Sequence, residues 1–225
     1  MRVILHNLER SGAVAGRCVV EQERFEAEVA SQRGSQLTHH VILIDRSSSM
    51  SEVMSDLHHR LHKLLVLEEF QDAQVHISLL SYAAQGDLIT HCEREPLGVL
   101  MARDDERLEE LKALQGEGKT CISQALERAI ELCAEGELTS ISLHSDGFAS
   151  DPSYAAERAR LIQLAEGLSS TPSLKVTLNT IAHARQSDFA LLSTLAQLGR
   201  GRCVIAEDVR AVYEALHHTT ALIAQ

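Results

Sequence analysis

From Val41 onward, short apolar runs alternate with longer segments in which apolar residues recur every three or four positions. The short runs, Val41 to Ile44, Val75 to Ser81, Leu88 to Cys92, Ile141 to His144, Lys175 to Ile181 and Cys203 to Ala206, read as strands. Met54, Leu57, Leu61, Leu64 and Leu65 share one helical face, and Ile122, Ala125, Leu126, Ala129, Ile130 and Cys133 share another. The second helix starts just after Gly118-Lys119-Thr120, where a threonine can cap free backbone N–H groups. Further helices are predicted over Tyr154 to Gly167, Ser187 to Leu198 and Val209 to Ile223, with Gly199 as a C-terminal stop. Strands alternating with helices predict an α/β domain, doubly wound and Rossmann-like, with a mostly parallel six-stranded sheet and helices on both faces. Only Tyr82-Ala-Ala-Gln-Gly-Asp87 separates the second and third strands. That is too short for a crossover helix, so this pair is expected to be an antiparallel hairpin.

With 225 residues, 44% of them hydrophobic, the chain can bury one large core. Residues 1–36 hold five Arg against five Glu, so the remainder carries the whole formal charge of −11. We therefore divide the chain into a 1–36 extension, with added strands or a short charged helix, and a main domain over 37–225. The acidic balance and the lack of a basic stripe argue against nucleic acid as partner, because phosphate neutralisation needs clustered Lys and Arg. Five widely spaced cysteines form no C-x-x-C pair, which fits a reducing cytoplasm better than a disulfide framework. The N-terminus lacks the features of a secretory signal, and no apolar run approaches the roughly 18 residues of a membrane span. A soluble cytoplasmic protein is expected. Asp104 to Glu110, with leucines at 108, 111 and 114, matches a solvated helix packed on one side.

The chemistry concentrates after the first strand, in Asp45-x-Ser47-x-Ser49. A carboxylate and two hydroxyls there can converge on one hard cation, which prefers oxygen ligands. The motif alone arises by chance in on the order of one chain in ten to twenty, so its context decides its weight. Ligands of open α/β folds bind outside the carboxyl ends of the strands. Thr120, before the second helix, and Asp146 in Ser145-Asp146-Gly147 belong to the same predicted edge. Against this stand plainer roles: Ser, Thr and Asp cap helices, and Asp-Gly is a good turn dipeptide. His58 and His62 lack a third ligand, and His39-His40 and His217-His218 are expected as surface pairs. Cys121 is expected as a plain helix-start residue.

The residues Asp45, Ser47, Ser49, Thr120 and Asp146-Gly147, in this order, resemble the metal-ion-dependent adhesion site of the von Willebrand factor type A domain. The hairpin around Leu88 is similar to that family's antiparallel edge strand, and Thr180-Ile-Ala-His-Ala184 and Leu191 through Gly201 also resemble it. Two positions depart from the pattern: Ser48 stands where glycine is usual between the serines, and Lys119 where glycine commonly precedes the threonine. The resemblance implies that Asp45, Ser47, Ser49 and Thr120 contact Mg2+, with Mn2+ as the alternative, and that Asp146 acts mostly through water. It further implies an adaptor that captures an Asp or Glu of a partner protein. By analogy that partner is a chaperone-type ring ATPase or another product of a bacterial operon. An enzyme is not expected, because G-x-S-x-G and a P-loop are both absent. The competing functions are a metal-dependent phosphoester hydrolase and a metal-independent assembly scaffold.

Overall fold

The computed structural model describes residues 38–54, 56–57, 61, 75–102, 118–183 and 186–206. The chain divides into two units, Met1–Gln36 and Leu37–Gln225, and all described residues fall in the second. The elements expected within 1–36, the acidic helix after Asp104 and the helix Val209 to Ile223 lie outside the described residues, as do most of the positions after Leu57 on the first helix.

The described elements run β1 (Thr38–Asp45), a single 3-10 turn (Ser48–Met50), β2 (Val75–Tyr82), β3 (Leu88–Pro96), α1 (Leu97–Ala102), α2 (Ile122–Glu131), β4 (Leu138–Ser145), α3 (Tyr154–Ser170), β5 (Lys175–Ala182), α4 (Phe189–Leu198) and β6 (Arg200–Ile205). They build one six-stranded sheet in the order β3-β2-β1-β4-β5-β6. Every neighbouring pair is parallel except β2 and β3, so the expected antiparallel strand lies at the edge.

Both faces of the sheet are covered, which explains the continuous apolar run Val41 to Ile44 of the central strand β1. On one face Val41, Leu43, Ile141, Leu143 and Leu178 pack beneath Ile122, Ala125 and Leu126 of α2, Leu161 of α3 and Leu191 and Leu195 of α4. On the other face Ile42, Ile44, Ile77 and Leu79 pack against Met50, Met54, Leu57 and Leu61, and against Leu97 and Leu100 of α1. Residues one position apart on a strand point to opposite faces, so β1 and β2 serve both clusters, whereas β4 gives Ile141 and Leu143 to the first alone.

The strands are longer than their apolar cores predict. β1 starts at Thr38 and β4 at Leu138, so buried polar residues extend both strands; one of them, Ser140, accepts Asn179 Nδ2–H at 3.2 Å. β6 begins at Arg200 rather than Cys203, α4 at Phe189 rather than Ser187, and α3 continues to Ser170. Helix α1 was not predicted. Contrary to expectation, His39 and His40 are buried, not a surface pair. β1 is central, so both faces of the strand are covered at that level. His39 Nε2 lies 2.8 Å from Ser78 Oγ, and its Nδ1 lies 3.3 Å from Arg94 Nη1. The imidazole is held neutral, its pKa lowered to about 4 by burial first and then by the charge of Arg94.

The register brings the carboxyl ends of β1 and β4 to one level. Ile44 pairs with His144, and Asp45 pairs with Tyr82 of β2. Asp45, Ser145 and the loops that follow them therefore emerge together at one edge of the sheet.

Candidate metal centre

Asp45 ends β1 with no exposed surface. Its Oδ1 accepts the N–H of Ser47 at 2.9 Å, and its Oδ2 accepts the hydroxyl of Ser145 at 2.6 Å. Ser47 is buried and Ser49 exposed, and their hydroxyls are hydrogen-bonded at 3.1 Å. The first loop thus presents three oxygen-bearing side chains in a linked row, running from the sheet to the surface.

The second loop is tied to the first through Ser48, whose N–H and hydroxyl both donate to Gly118 O, at 3.2 and 3.1 Å. Gly118 takes a left-handed φ of +77°, which glycine allows without a Cβ clash. Ser48 itself has no positive φ, since it opens the 3-10 turn, so serine in place of glycine costs the loop no strain. Lys119 is exposed, and Thr120 behind it is buried.

The second loop is in turn tied to the third. Thr120 O accepts the N–H groups of Ser150 at 2.9 Å and Asp151 at 3.1 Å, and Thr120 N–H donates to Ser150 Oγ at 3.2 Å. In the third loop Asp146 is buried, with Oδ1 accepting the N–H of Phe148 at 3.0 Å. Gly147 stands at φ +79° with its N–H on Ser145 Oγ, 2.9 Å away. A Cβ there would lie 3.1 Å from Leu192 Cγ and 3.3 Å from Asp188 Cβ, so close packing on α4 selects glycine as well. The five predicted residues are therefore drawn together in two ways. Asp45, Ser47 and Ser49 interact directly, whereas Thr120 and Asp146 join through Gly118, Ser145 and Ser150.

Thr120 does not cap α2 as the sequence suggested. Cys121 occupies the N-cap position without a side-chain bond, and the helix start is held from a distance by Glu157 of α3. The buried Glu157 carboxylate accepts Ser123 N–H at 2.6 Å and Ser123 Oγ–H at 2.8 Å, a negative charge at a helix N-terminus. That leaves Thr120 free of capping duty while fixing the helix beside it. The hairpin turn after β2 closes the rim: Arg46 pairs with Asp87, Cys121 N–H donates to Ala83 O at 2.7 Å, and Gln85 N–H donates to Asp151 Oδ2 at 2.8 Å. Ser145 and Glu157 were not singled out from the sequence. A hydroxyl closing the apolar face of β4 and a glutamate on the buried face of an amphipathic helix were the available signals.

Burial raises the Asp45 acid to about 6; hydrogen bonds from Ser145 and Ser47 pull it back, and the charge of Asp146 adds to the rise. This is a carboxyl group taken out of water with no cationic side chain among the causes acting on it, so its ionised form is the one a bound cation would stabilise. Such a group is costly unless a positive charge joins it. Among the described residues, no cluster of three or more His, Cys, Asp or Glu side chains is placed to hold a metal ion. The five side chains on these three loops offer two carboxylates and three hydroxyls, a set whose chemistry suits an oxygen-seeking ion such as Mg2+ or Mn2+ rather than a soft one.

No protein-family model matches the sequence. No curated protein matches it either. Solved structures do. A von Willebrand factor type A protein from Catenulispora acidiphila superposes with a TM-score of 0.61 at 17% identity, over 84% of this chain and 43% of that one. BatB, a conserved hypothetical protein from Bacteroides thetaiotaomicron, gives 0.60 at 14% identity, over 83% of this chain and 98% of that one. The ArnB paralog VWA2 from Sulfolobus acidocaldarius gives 0.52 at 22% identity, over 81% of this chain and 44% of that one. The chain thus spans less than half of the Catenulispora protein and nearly all of BatB. Strand order, the antiparallel edge strand and this likeness agree: the chain has the fold of the von Willebrand factor type A domain.

Proposed function

We propose that this chain is a protein-binding adaptor in which Asp45, Ser47, Ser49 and Thr120, backed by Asp146, hold Mg2+ or Mn2+ and so capture an Asp or Glu of a partner protein. The fold supports a binding module, since domains of this architecture commonly mediate protein interactions. The single observation that carries the metal is the Asp45 carboxylate, buried at the end of β1 and fixed in orientation by Ser47 N–H and Ser145 Oγ–H.

A bound divalent ion would supply a positive charge with a coordination position left for an incoming oxygen. The protein's own contribution is to keep that charge unsatisfied. Of the five donors, three are neutral hydroxyls, and on this reading Asp146 acts mostly through water rather than directly on the ion. Asp45 alone brings a full negative charge to the first loop. A partner carboxylate would therefore complete the site, and the surrounding ties among the three loops hold the donors ready before it arrives.

The reading is of binding without turnover, in a reducing cytoplasm that suits the free cysteines Cys92, Cys121, Cys133 and Cys203. No helix among the described residues is long and apolar enough to cross a membrane. A chaperone-type ring ATPase, or another product of the same operon in a bacterium, is the partner class to seek first.

Affinity capture from the native cell, with magnesium and with chelator, tests the proposal. Partners retained with magnesium, released by chelator and missed by Asp45→Ala are expected. Partners that persist through chelation and through the Ser47→Ala, Ser49→Ala double variant would instead establish a metal-independent scaffold.

A further inference from the structure

Arg46 stands inside the candidate metal loop, with Asp45 before it and Ser47 after it. A full positive charge is thus built into the place where a cation is to bind. Solvent does little to weaken that charge: the side chain is 10% exposed, and its Nε has no hydrogen-bond partner. A guanidinium in such surroundings needs an anion. Asp45 is its neighbour in the chain, yet no cationic side chain is among the causes acting on the Asp45 carboxyl. Arg46 Nη2 pairs instead with Asp87, on the turn between β2 and β3. The two charges of the loop therefore part company. Asp45 takes the hydroxyl of Ser145 at the end of β4, on one side of β1, and Arg46 takes Asp87 beyond β2, on the other.

The turn that carries Asp87 is closed on itself and fastened to all three loops. Asp87 N–H donates to Ala84 O at 2.9 Å, and Asp87 O accepts Ala83 N–H at 3.0 Å. Tyr82 O accepts Arg46 N–H at 2.8 Å from the first loop, and Ala83 O accepts Cys121 N–H at 2.7 Å from the second. Gln85 N–H donates to Asp151 Oδ2 of the third at 2.8 Å, and Gly86 N–H to Gln124 Oε1 of α2 at 2.6 Å. Asp87 is thus held at a set place relative to Arg46, while its own side chain stays 46% exposed.

We infer that Asp87 is a positioning residue for the metal centre: it holds the Arg46 guanidinium on the hairpin side of β1, so that Asp45 stays available to a divalent cation. This rests on the metal-binding reading above and adds what keeps the protein's own cation out of the site. With Asp87 neutralised, the guanidinium competes for the carboxylate the ion needs and repels the ion at short range. A plain stitch between loop and hairpin would behave otherwise. Removing either partner would then harm the site, and removing both would not repair it.

Calorimetric titration of the full chain with magnesium, with thermal unfolding of each variant alongside, separates the two roles. Asp87→Asn is expected to weaken magnesium binding about tenfold, whereas Asp87→Glu, which keeps the charge, retains most of the affinity. The double variant Arg46→Gln, Asp87→Asn is expected to return to within about twofold of the wild type, because the competing cation has gone as well. Arg46→Gln alone should bind at least as tightly as the wild type, and this arm reads the inference even where Asp87→Asn does not fold. Unchanged affinity in Asp87→Asn, a double variant as weak as Asp87→Asn, or a loss of affinity in a cooperatively unfolding Arg46→Gln would overturn the inference and leave the metal-binding reading in place. A wild type that binds no magnesium would overturn both.

Discussion

The Ser145 hydroxyl donates to Asp45 Oδ2 at 2.6 Å across a sequence separation of 100 residues, joining the ends of two parallel strands in one contact. The same oxygen accepts Gly147 N–H at 2.9 Å, so one serine orients the first loop's carboxylate and the third loop's turn. Ser145→Ala removes both bonds inside a buried site. A stability loss of about 2 kcal/mol is expected in urea titration, since a buried carboxylate oxygen and a buried N–H are left unpaired. Magnesium affinity should fall severalfold in the same variant. Unchanged stability and unchanged affinity would show that Asp45 is positioned by other contacts.

Glu157 holds the start of α2 and, through it, Thr120. Glu157→Ala strips the Ser123 N–H and hydroxyl of their acceptor, with an expected cost of about 1 to 3 kcal/mol. Glu157→Gln keeps one good acceptor and should cost less. Chemical denaturation of the two variants checks the order, and equal losses would mean that the negative charge rather than the geometry matters.

Gly147 is fixed by its φ of +79° and by its approach to Leu192 and Asp188. Gly147→Ala is expected to destabilise by about 1 to 2 kcal/mol, from the left-handed backbone and from the contact at 3.1 Å. Because Asp146 precedes it directly, metal binding should weaken too. Thermal unfolding with and without magnesium separates the effects: the variant should lose both intrinsic stability and part of the magnesium-dependent gain.

Stability should fall on acidification partly through His39. Its folded pKa, lowered to about 4 by burial and Arg94, lies below the unfolded value of 6.5. The unfolded chain therefore takes up the proton first. The contribution is fully present above pH 6.5 and is lost as pH falls towards 4, amounting to about 2 kcal/mol between pH 7 and 5. His144, lowered to about 4 by burial, acts in the same direction. Asp45 opposes them: its raised pKa of about 6 gives stability that is present below 3.8 and lost as pH rises through 6. In metal-free protein the two histidines outweigh the one carboxylate. Urea titrations at pH 7 and 5 should show a smaller acid loss in His39→Gln than in the wild type, and equal losses would contradict the buried neutral imidazole.

The apolar runs and the short Tyr82 to Asp87 link were enough to read the strand set and the antiparallel edge. That Asp45, Ser47, Ser49, Thr120 and Asp146 lie on loops of one edge was legible because such loops follow apolar strands or precede helices there; that they hold a metal is the proposal made above. What stayed hidden depended on contacts between distant parts of the chain. His39 and His40 looked like a surface pair because polarity at a strand start resembles exposure, yet a central strand buries both ends. Thr120 looked like a helix cap because capping is usually local, whereas the acceptor here comes from Glu157, 34 positions beyond Ser123. Ser145 was passed over because β4 appeared to end one residue early. Ser48 is unstrained where glycine is usual, since its own φ is not positive.

The most direct test of the site is calorimetric titration of the purified chain with magnesium, beside the Asp45→Ala variant. Binding to a single site at millimolar magnesium or below in the wild type, and none in the variant, is the predicted result. No binding by the wild type in that range, or equal binding by Asp45→Ala, would contradict a metal held by the loop that closes β1.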